Sequence, residues 1–305
     1  MAGPRNVPDR DGVAELGNGR SLGYAEYGDE DGRVVLWFHG TPGACRQVPP
    51  DAPDLARRRG IRLIGIERPG TGLSTSYRYT RMLEWAHDVE RFLDVHDIDR
   101  FAAVGLSGGG PFVLACGHHF GLRRMAAGAV LGGIGPTRGA EAAPGYTRLL
   151  APFEPVLSWV AAPVGAVVSC MLKPVASVMG SPAFDLYANF VSPPCDRPVL
   201  KRPDMKEAFL YDITTATRTG VRALTQDLLL FARDWRFSLR DIDVPIRFWH
   251  GDADRIVPLT HSVHQAALVP DSALTVVPGG GHFSGYETVE GVFDSLLALW
   301  QREPA

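Results

Sequence analysis

Short apolar runs alternate with helix-like segments along the first 135 residues of the chain. The strand-like runs cover residues 20–28, 34–40, 61–70, 101–107 and 125–135. Between them, residues 80–97 place their apolar side chains on one helical stripe. Because strands that alternate with helices form a parallel sheet covered on both faces, the pattern predicts an α/β fold with a mostly parallel central sheet flanked by helices. The runs at 20–28 and 34–40 are predicted to be antiparallel neighbours.

The alternation breaks after residue 135 and resumes at residue 242, where two further strand-like runs precede a final amphipathic helix. We therefore predict a core domain of residues 1–135 and 242–305, into which residues 136–241 are inserted as a mostly helical cap. The uncharged stretch 155–172 of that insertion contains Pro163 and Gly165. It is predicted to be a buried cap helix, with no stable membrane insertion, because a membrane helix needs about 20 apolar residues.

Composition and charge exclude several classes of function. The 305 residues are 45% hydrophobic, and the net charge is −3, with basic residues scattered along the chain, so no nucleic-acid partner is expected. Four cysteines lie far apart without a CxxC pair, which argues against a zinc site or a disulfide scaffold; no metal and no cofactor are expected. The first residues lack the apolar region of a secretory signal, so a cytoplasmic location is the expectation.

The run 101–107 ends at a serine that is followed by glycines. Residues 105–109 read Gly-Leu-Ser-Gly-Gly, a G-x-S-x-G pattern between a strand-like and a helix-like segment, which is the setting of a nucleophile elbow. Glycines at 105 and 109 let the strand and the helix approach closely, and the helix N-terminus directs free N–H groups at a developing anion. A serine in a glycine turn is otherwise an ordinary turn residue. The strand–turn–helix setting favours Ser107 as a nucleophile.

A serine hydroxyl needs a base to attack, and the chain offers nine histidines. His39 and His250 end strands and are predicted to lie at the carboxyl edge of the sheet. His282 follows a strand and three glycines, and a loop histidine at that edge can reach Ser107. His282 is therefore the predicted general base, with His250 as the alternative. Helix packing or a helix surface is predicted for the histidines of helical segments: His87, His96, His118, His119, His261 and His264.

The base needs an orienting carboxylate, and this architecture orders the three residues Ser, Asp, His along the chain. The segment "GDADRIVP" at 251–258 supplies Asp252 and Asp254 directly after a strand. Asp254 is the predicted acid because the segment after it leaves the strand edge. Asp252 is the alternative acid, although an aspartate at this point is more often a turn or capping residue.

Two N–H donors are needed for the oxyanion of an acyl transfer. The main chain of Gly108 is one, and the loop "HGTPGA" at 39–44 supplies the other through the main chain of Thr41, supported by His39 and Gly40. This loop is alternatively a simple turn. Apolar side chains beside the site predict a substrate pocket; they are Leu106, Trp159, Phe184, Tyr187 and Phe283.

Together these pieces resemble the α/β-hydrolase fold family. The matching segments are "HGTPG" (39–43), "ERPGTGLS" (67–74), "GLSGG" (105–109), "GDADRIVP" (251–258) and "GGGH" (279–282). The resemblance implies a capped, esterase-like branch with a serine nucleophile. In that branch Ser107, Asp254 and His282 form a triad, and the main chains of Gly108 and Thr41 form the oxyanion hole.

The resemblance indicates the type of reaction more closely than it indicates the substrate. A serine at 107 argues against haloalkane dehalogenases and epoxide hydrolases, which carry aspartate there, and the loop "HGTPG" departs from the "GGPG" of proline iminopeptidases. We predict a serine hydrolase that cleaves carboxylic esters of small, largely apolar substrates through an acyl-enzyme. An acyltransferase, an amidase or peptidase, a carbon–carbon bond hydrolase and a non-catalytic small-molecule receptor stay open, as does the choice between a monomer and a homodimer.

Overall fold

The computed structural model describes residues 7–144, 189, 192–218 and 222–301. Eight strands of this part of the chain form one sheet: β1 Arg10–Gly17, β2 Arg20–Gly28, β3 Arg33–Phe38, β4 Ile61–Ile66, β5 Phe101–Leu106, β6 Met125–Leu131, β7 Ile246–Gly251 and β8 Ser272–Val277. Their spatial order is β1-β2-β4-β3-β5-β6-β7-β8. β2 runs antiparallel to β1 and β4, and all other neighbours are parallel. The prediction of a mostly parallel sheet is confirmed.

The prediction that β2 and β3 are antiparallel neighbours is wrong. β4 lies between them, pairing antiparallel with β2, where Tyr24 faces Ile66, and parallel with β3, where Phe38 faces Ile66. All residues of β3 after the first are buried, so its backbone groups need a partner strand on both edges; β4 and β5 provide them. β1, which the sequence pattern did not reveal, pairs with the other edge of β2.

Helices cover both faces of the sheet, as predicted. Their bounds are α1 Ala52–Arg58, α2 Glu84–Val95, α3 Gly110–Arg124, α4 Arg197–Leu200, α5 Pro203–Thr217, α6 Arg222–Phe231, α7 Thr260–Leu268, α8 Ser284–Glu287 and α9 Val289–Trp300. One buried layer joins α2 and α3 through Trp85 and Phe112, and the other joins α1 and α9 and includes the fully buried Phe293. Successive residues of β3 alternate between the layers, Trp37 in the second and Phe38 in the first.

The carboxyl ends of the parallel strands meet at one edge of the sheet. His39 begins the loop after β3, Ser107 directly follows β5, Gly132 follows β6, Asp254 lies in the loop after β7, and His282 lies in the loop after β8. Ligands of open α/β sheets bind at this edge. The topology therefore brings five separate segments of the chain to one place.

The predicted insertion at 136–241 is described in part, and its described helices are α4, α5 and α6. The stretch 155–172 and the predicted substrate contacts Trp159, Phe184 and Tyr187 lie outside the described residues. The boundaries of a cap therefore stay a prediction. Among the helices that the structure describes, none has both the length and the apolar character needed to cross a membrane.

Candidate active site

Ser107 lies at a sharp turn between β5 and α3. Its φ of +51° is in the left-handed region that residues with a side chain rarely adopt. A 3-10 turn over Ser107–Gly109 leads into α3. The flanking glycines are required by close packing, since a Cβ at Gly105 would lie 2.5 Å from the carbonyl oxygen of Gly109, and one at Gly109 would lie 2.2 Å from that of Phe38. The turn holds the half-buried serine at the carboxyl edge.

Ser107, His282 and Asp254 form one hydrogen-bonded chain. Ser107 Oγ lies 2.9 Å from His282 Nε2, and His282 Nδ1 lies 2.7 Å from Asp254 Oδ2. An ionised carboxylate only accepts hydrogen bonds, so Nδ1 carries the proton and Nε2 accepts from the serine hydroxyl. His282 is only 6% exposed, so water competes little for these bonds. The arrangement can take the hydroxyl proton as the oxygen attacks an electrophile.

The structure brings Asp254, and not Asp252, to His282. Asp254 Oδ1 accepts the N–H groups two and three residues further on, at 2.8 and 2.9 Å, which leaves Oδ2 for the imidazole. Burial by itself would raise the pKa of Asp254, but hydrogen bonds from His250 and His282 hold that pKa well below its usual range. The carboxylate is therefore charged. Asp252 instead accepts the N–H of Gly279 at 2.7 Å, at the protein surface.

His250, the alternative base, is already engaged. Its Nε2 lies 2.8 Å from the Val257 carbonyl oxygen and 3.3 Å from Asp254 Oδ2, and its Nδ1 lies 2.7 Å from Ser262 Oγ. Both ring nitrogens of His250 thus have hydrogen-bond partners, and none of these partners is Ser107. The structure does not bring His250 to Ser107.

His261 is buried, whereas the sequence predicted a helix-surface position. It is 1% exposed, and its Nδ1 accepts the N–H of Gly135 at 2.9 Å. The loop after β6 covers this face of α7, which helical periodicity within α7 alone does not reveal. Burial, followed by the charges of His250 and His264, lowers the pKa of His261 to about 4. The imidazole is therefore neutral at pH 7.

The loop that carries His282 is closely packed. A Cβ at Gly251 would lie 2.1 Å from the carbonyl oxygen of Gly280, and one at Gly281 would lie 2.2 Å from Asp196 Oδ1. Asp196, which precedes α4, is buried and accepts the N–H of the residue after His282 at 3.0 Å. Burial raises the pKa of this carboxyl. The glycines of the loop thus serve close packing, and Asp196 fixes its main chain.

The loop after β3 lies opposite the serine. A Cβ at Gly40 would lie 3.5 Å from Ser107 Cβ, and one at Gly108 would lie 2.4 Å from Thr41 Oγ1. Gly108 is in the first turn of its helical segment, where N–H groups have no partner within the helix and negative charge is favoured. The N–H of Gly40 donates to Gln47 Oε1. The loop that carries Gly40 and Thr41 therefore packs directly against the turn that carries Ser107 and Gly108.

A buried arginine, Arg68, holds this loop. Its Nη1 donates to the His39 carbonyl oxygen at 2.7 Å, and its Nη2 donates to the Gly40 carbonyl oxygen at 2.8 Å and to Thr41 Oγ1 at 2.9 Å. The guanidinium also pairs with Asp227 of α6, with 2.7 Å between Nη2 and Oδ2. Asp227 Oδ2 in turn accepts the hydroxyl of Thr41 at 2.8 Å. One network therefore joins the loop to α6.

His39 is part of the same network. The main-chain N–H of Arg68 donates to His39 Nε2 at 3.2 Å, so the proton is on Nδ1, which donates to the Gly40 carbonyl oxygen at 2.8 Å. Burial, followed by the charge of Arg68, holds the pKa of His39 well below its usual range. A neutral imidazole thus restrains the loop next to Thr41.

Sequence reasoning missed four ionisable side chains that contact the loops of the site: Arg68, Asp196, Asp212 and Asp227. Asp212 of α5 accepts the N–H of Ala44 at 2.9 Å, in the same loop as Thr41. Arg68 belongs to the segment "ERPGTGLS", which the sequence identifies as part of the family resemblance but to which it assigns no role. The three aspartates lie far along the chain from the loops that they contact, and no local pattern identifies them.

Two aromatic rings contact neighbours of the serine. The Phe283 ring lies 5.5 Å from the His282 ring, centroid to centroid. A Cβ at Gly108 would lie 3.0 Å from Phe231 Cζ. Leu106, a predicted substrate contact, is 2% exposed and belongs to the apolar core, so its placement does not support that role.

Within the described residues, one group of potential metal ligands occurs, formed by His87 and Glu90 of α2 and His119 of α3. His119 lies in the half of α3 remote from Ser107. Its Nε2 is 3.2 Å from Glu90 Oε2, a contact that needs no metal. The donor set around the serine, one hydroxyl, one imidazole and one orienting carboxylate, is suited to nucleophilic catalysis.

Known proteins resemble this chain in sequence and in structure. A family model described as alpha/beta hydrolase fold matches residues 33–288. A non-heme haloperoxidase from Rhodococcus erythropolis is 27% identical over 284 residues, which cover 87% of this chain and 90% of the relative.

Two solved structures show the same fold. A hydrolase from Pseudomonas aeruginosa PA01 has a TM-score of 0.69 at 17% identity, and the match covers 96% of this chain and 99% of the hydrolase. The esterase RhEst1 from Rhodococcus sp. ECU1013 has a TM-score of 0.66 at 22% identity, and the match covers 95% of this chain and 99% of the esterase.

Proposed function

The chain belongs to the alpha/beta hydrolase fold family, and on that premise we propose that it is a serine hydrolase that cleaves carboxylic esters through an acyl-enzyme. The observation that carries the proposal is the hydrogen-bonded chain from Ser107 through His282 to Asp254. The esterase among the proteins that share the fold agrees with this chemistry. The proposed catalytic triad is Ser107, His282 and Asp254, and the proposed oxyanion donors are the N–H groups of Gly108 and Thr41.

Acylation begins when Ser107 Oγ attacks the ester carbonyl carbon while His282 Nε2 takes the hydroxyl proton. The carbonyl oxygen becomes an oxyanion and accepts hydrogen bonds from Gly108 and Thr41. When the tetrahedral intermediate collapses, the bond to the alcohol oxygen breaks, and that oxygen takes the proton from Nε2. Asp254 stabilises the imidazolium and keeps its own charge throughout.

Deacylation repeats these steps with water. His282 Nε2 takes a proton from the water as its oxygen attacks the acyl carbon, and the two donors again bind the oxyanion. Collapse releases the carboxylic acid, and the proton on Nε2 returns to Ser107 Oγ. No group beyond the triad and the two donors is needed for the cycle.

The substrates that we propose are uncharged esters with small, largely apolar acyl groups. Phe231 lies close to Gly108, and Phe283 lies against His282; both rings are largely buried, at 5% and 9% exposed, so they support an apolar wall of the pocket. Each methylene buried on such surface contributes about 0.8 kcal/mol. A charged acyl group would lose its hydration there.

Labelling and a substrate panel test the proposal. A fluorophosphonate probe should label the wild-type protein and should not label Ser107→Ala. In p-nitrophenyl esters of two to eight acyl carbons, kcat/KM should rise from acetate to the middle of the series. Absence of both labelling and turnover would reject the hydrolase and leave a small-molecule receptor on the same fold. A flat response along the series would reject only the apolar pocket.

A second candidate function comes from the relative named a non-heme haloperoxidase. Hydrogen peroxide that attacks the acyl-enzyme in place of water would release a peracid, which oxidises bromide to hypobromite and is reduced to the carboxylic acid. Bromination of monochlorodimedone by the protein with acetate, peroxide and bromide would support this activity. It should disappear in Ser107→Ala if it uses the same acyl-enzyme.

A further inference from the structure

Arg68 and Asp227 join the core to the inserted segment at the loop that carries Thr41. Arg68 follows β4, and Asp227 lies in α6, 159 residues further along the chain. Their side chains are 2% and 12% exposed and meet at 2.7 Å. The guanidinium lies 4.7 Å from the centre of the Phe112 ring. Water therefore has little access to this ion pair, and its charges act strongly on their neighbours.

The contacts of Arg68 fix the direction of an N–H group. The carbonyl of Gly40 and the N–H of Thr41 belong to one peptide unit, which is planar, and in a trans unit the two bonds point in opposite directions. Arg68 Nη2 and His39 Nδ1 both donate to that carbonyl oxygen, each at 2.8 Å. The N–H of Thr41 therefore points away from Arg68, in a direction that these two hydrogen bonds set.

Asp227 holds Arg68 and Thr41 at the same time. Its carboxylate accepts Arg68 Nε at 3.0 and 3.2 Å, Arg68 Nη2 at 2.7 Å and the Thr41 hydroxyl at 2.8 Å. A buried guanidinium that loses its carboxylate partner is strongly destabilised and moves toward water. The two loop carbonyls that Arg68 binds would then lose this donor, and His39 Nδ1 alone would hold the peptide unit of Gly40 and Thr41.

We propose that Arg68 and Asp227 are positioning residues for the oxyanion donor of Thr41, so that α6 of the inserted segment is part of what makes the site competent. The role rests on the proposed ester hydrolysis. An ion pair that only stabilised the fold would not need to donate hydrogen bonds to the carbonyls of His39 and Gly40 and to the hydroxyl of Thr41, which all belong to one loop. Within the part of the chain that the structure describes, every hydrogen bond of the guanidinium is to the loop or to Asp227.

The test is Asp227→Ala, with Asp227→Asn as the conservative variant and Asp204→Asn as the matched control. Asp204 lies in the neighbouring helix α5 and pairs with Arg202 at 2.7 Å. We expect Asp227→Ala to lower kcat by about 10- to 100-fold with KM changed less than threefold, because a displaced donor weakens transition-state binding. Asp227→Asn should recover part of the loss, since an amide oxygen still accepts from Arg68. Asp204→Asn should have the kcat of the wild type.

A thionoester gives a readout that a merely structural role would not change. Sulfur accepts hydrogen bonds weakly, so a thionoester gains little from Thr41, and the ratio of ester to thionoester kcat/KM measures the donor. This ratio should fall about tenfold in Asp227→Ala and stay at the wild-type value in Asp204→Asn. If Asp227→Ala does not fold, Arg68→Lys carries the same test, because one ammonium cannot reproduce the fork-shaped contacts.

The outcomes separate the two proposals. A wild-type protein that hydrolyses no ester and binds no fluorophosphonate rejects the proposed function. A wild-type protein that hydrolyses esters, together with an Asp227→Ala variant whose ester to thionoester ratio is unchanged, rejects the positioning role alone. A fall in that ratio with an unfolding temperature near that of Asp204→Asn supports the role.

Discussion

The two sides of Ser107 are held in different ways. On the proton-transfer side, Asp254 and His282 come from the loops after the neighbouring strands β7 and β8; they bind each other, and Asp254 also accepts two nearby main-chain N–H groups. On the side of the proposed oxyanion donors, the loop with Thr41 is held by side chains from distant parts of the chain, above all Asp227 of α6.

This difference separates what the sheet topology brings together from what depends on helix α6. Parallel strands bring their carboxyl ends together wherever the sheet forms, so the topology carries His282 to Ser107, and Asp196 adds one contact to the main chain of the residue after His282. The proposed donor at Thr41 instead depends on how α6 packs against the loop. Changes on the first side should abolish turnover, and changes on the second side should reduce it by degrees.

The largest effect is expected on the proton-transfer side. Ser107→Ala should abolish ester hydrolysis, and His282→Ala should lower kcat by about 10⁴-fold or more, because the nucleophile loses its base. Steady-state kinetics on a p-nitrophenyl ester measure both, with thermal unfolding to show that each variant is folded.

His250→Ala is the control for the base. Its ring nitrogens bind Val257 and Ser262, and its Nε2 also lies 3.3 Å from Asp254 Oδ2. This variant should therefore lose stability, and its kcat per folded molecule should fall far less than that of His282→Ala, because His250 does not contact Ser107. A mild effect of His282→Ala together with a severe effect of His250→Ala would contradict the assignment and the comparison.

Asp254→Asn should lower kcat by roughly 10³- to 10⁴-fold. An amide at this position can donate to His282 Nδ1 and so favours the tautomer that cannot take the proton of Ser107. Asp252→Asn is the matched control, since its carboxylate accepts the N–H of Gly279 in an exposed turn. Equal losses in the two variants, measured as kcat/KM at pH 8, would remove Asp254 from the triad.

Gly108→Ala tests the contact between the turn that carries Ser107 and the loop that carries Thr41. The added Cβ would lie 2.4 Å from Thr41 Oγ1 and 3.0 Å from Phe231 Cζ, so the loop must shift away from the serine. We expect kcat to fall about 10- to 100-fold, since one misplaced oxyanion donor costs up to about 10²- to 10³-fold. Gly291→Ala in α9 is the control, because its Cβ meets nothing within 4 Å. Unchanged kcat in Gly108→Ala would place the oxyanion donors elsewhere.

The same comparison explains how much could be predicted from the sequence. Strand ends and the motifs around Ser107, Asp254 and His282 are local, and a parallel sheet converts local positions into a common site. Asp227 could not be found in this way, since its contact with Thr41 spans 186 residues and depends on helix packing. His261 was misplaced for a similar reason, because the chain that covers it comes from the loop after β6.

The smallest expected effect is on the pH dependence of stability and comes from the buried His261. His261 is neutral in the folded protein because its pKa is lowered to about 4, whereas the unfolded chain takes up this proton near pH 6.5. Above pH 6.5 the group is neutral in both states and has no effect on stability. As the pH falls from 6.5 to about 4, the unfolded state binds the proton first, so the free energy of unfolding decreases.

His261→Asn should therefore reduce acid sensitivity. Asparagine keeps an acceptor for the N–H of Gly135 but does not titrate, so the variant avoids the proton uptake on unfolding. Between pH 7 and pH 4.5 the wild type should lose about 2 kcal/mol more of its free energy of unfolding than His261→Asn does, as measured by urea unfolding at the two pH values. Exposed His87→Asn should lose as much as the wild type. Equal losses in wild type and His261→Asn would mean that His261 takes up its proton in the folded state, and the proton-transfer side would then contain a charged imidazole next to His250.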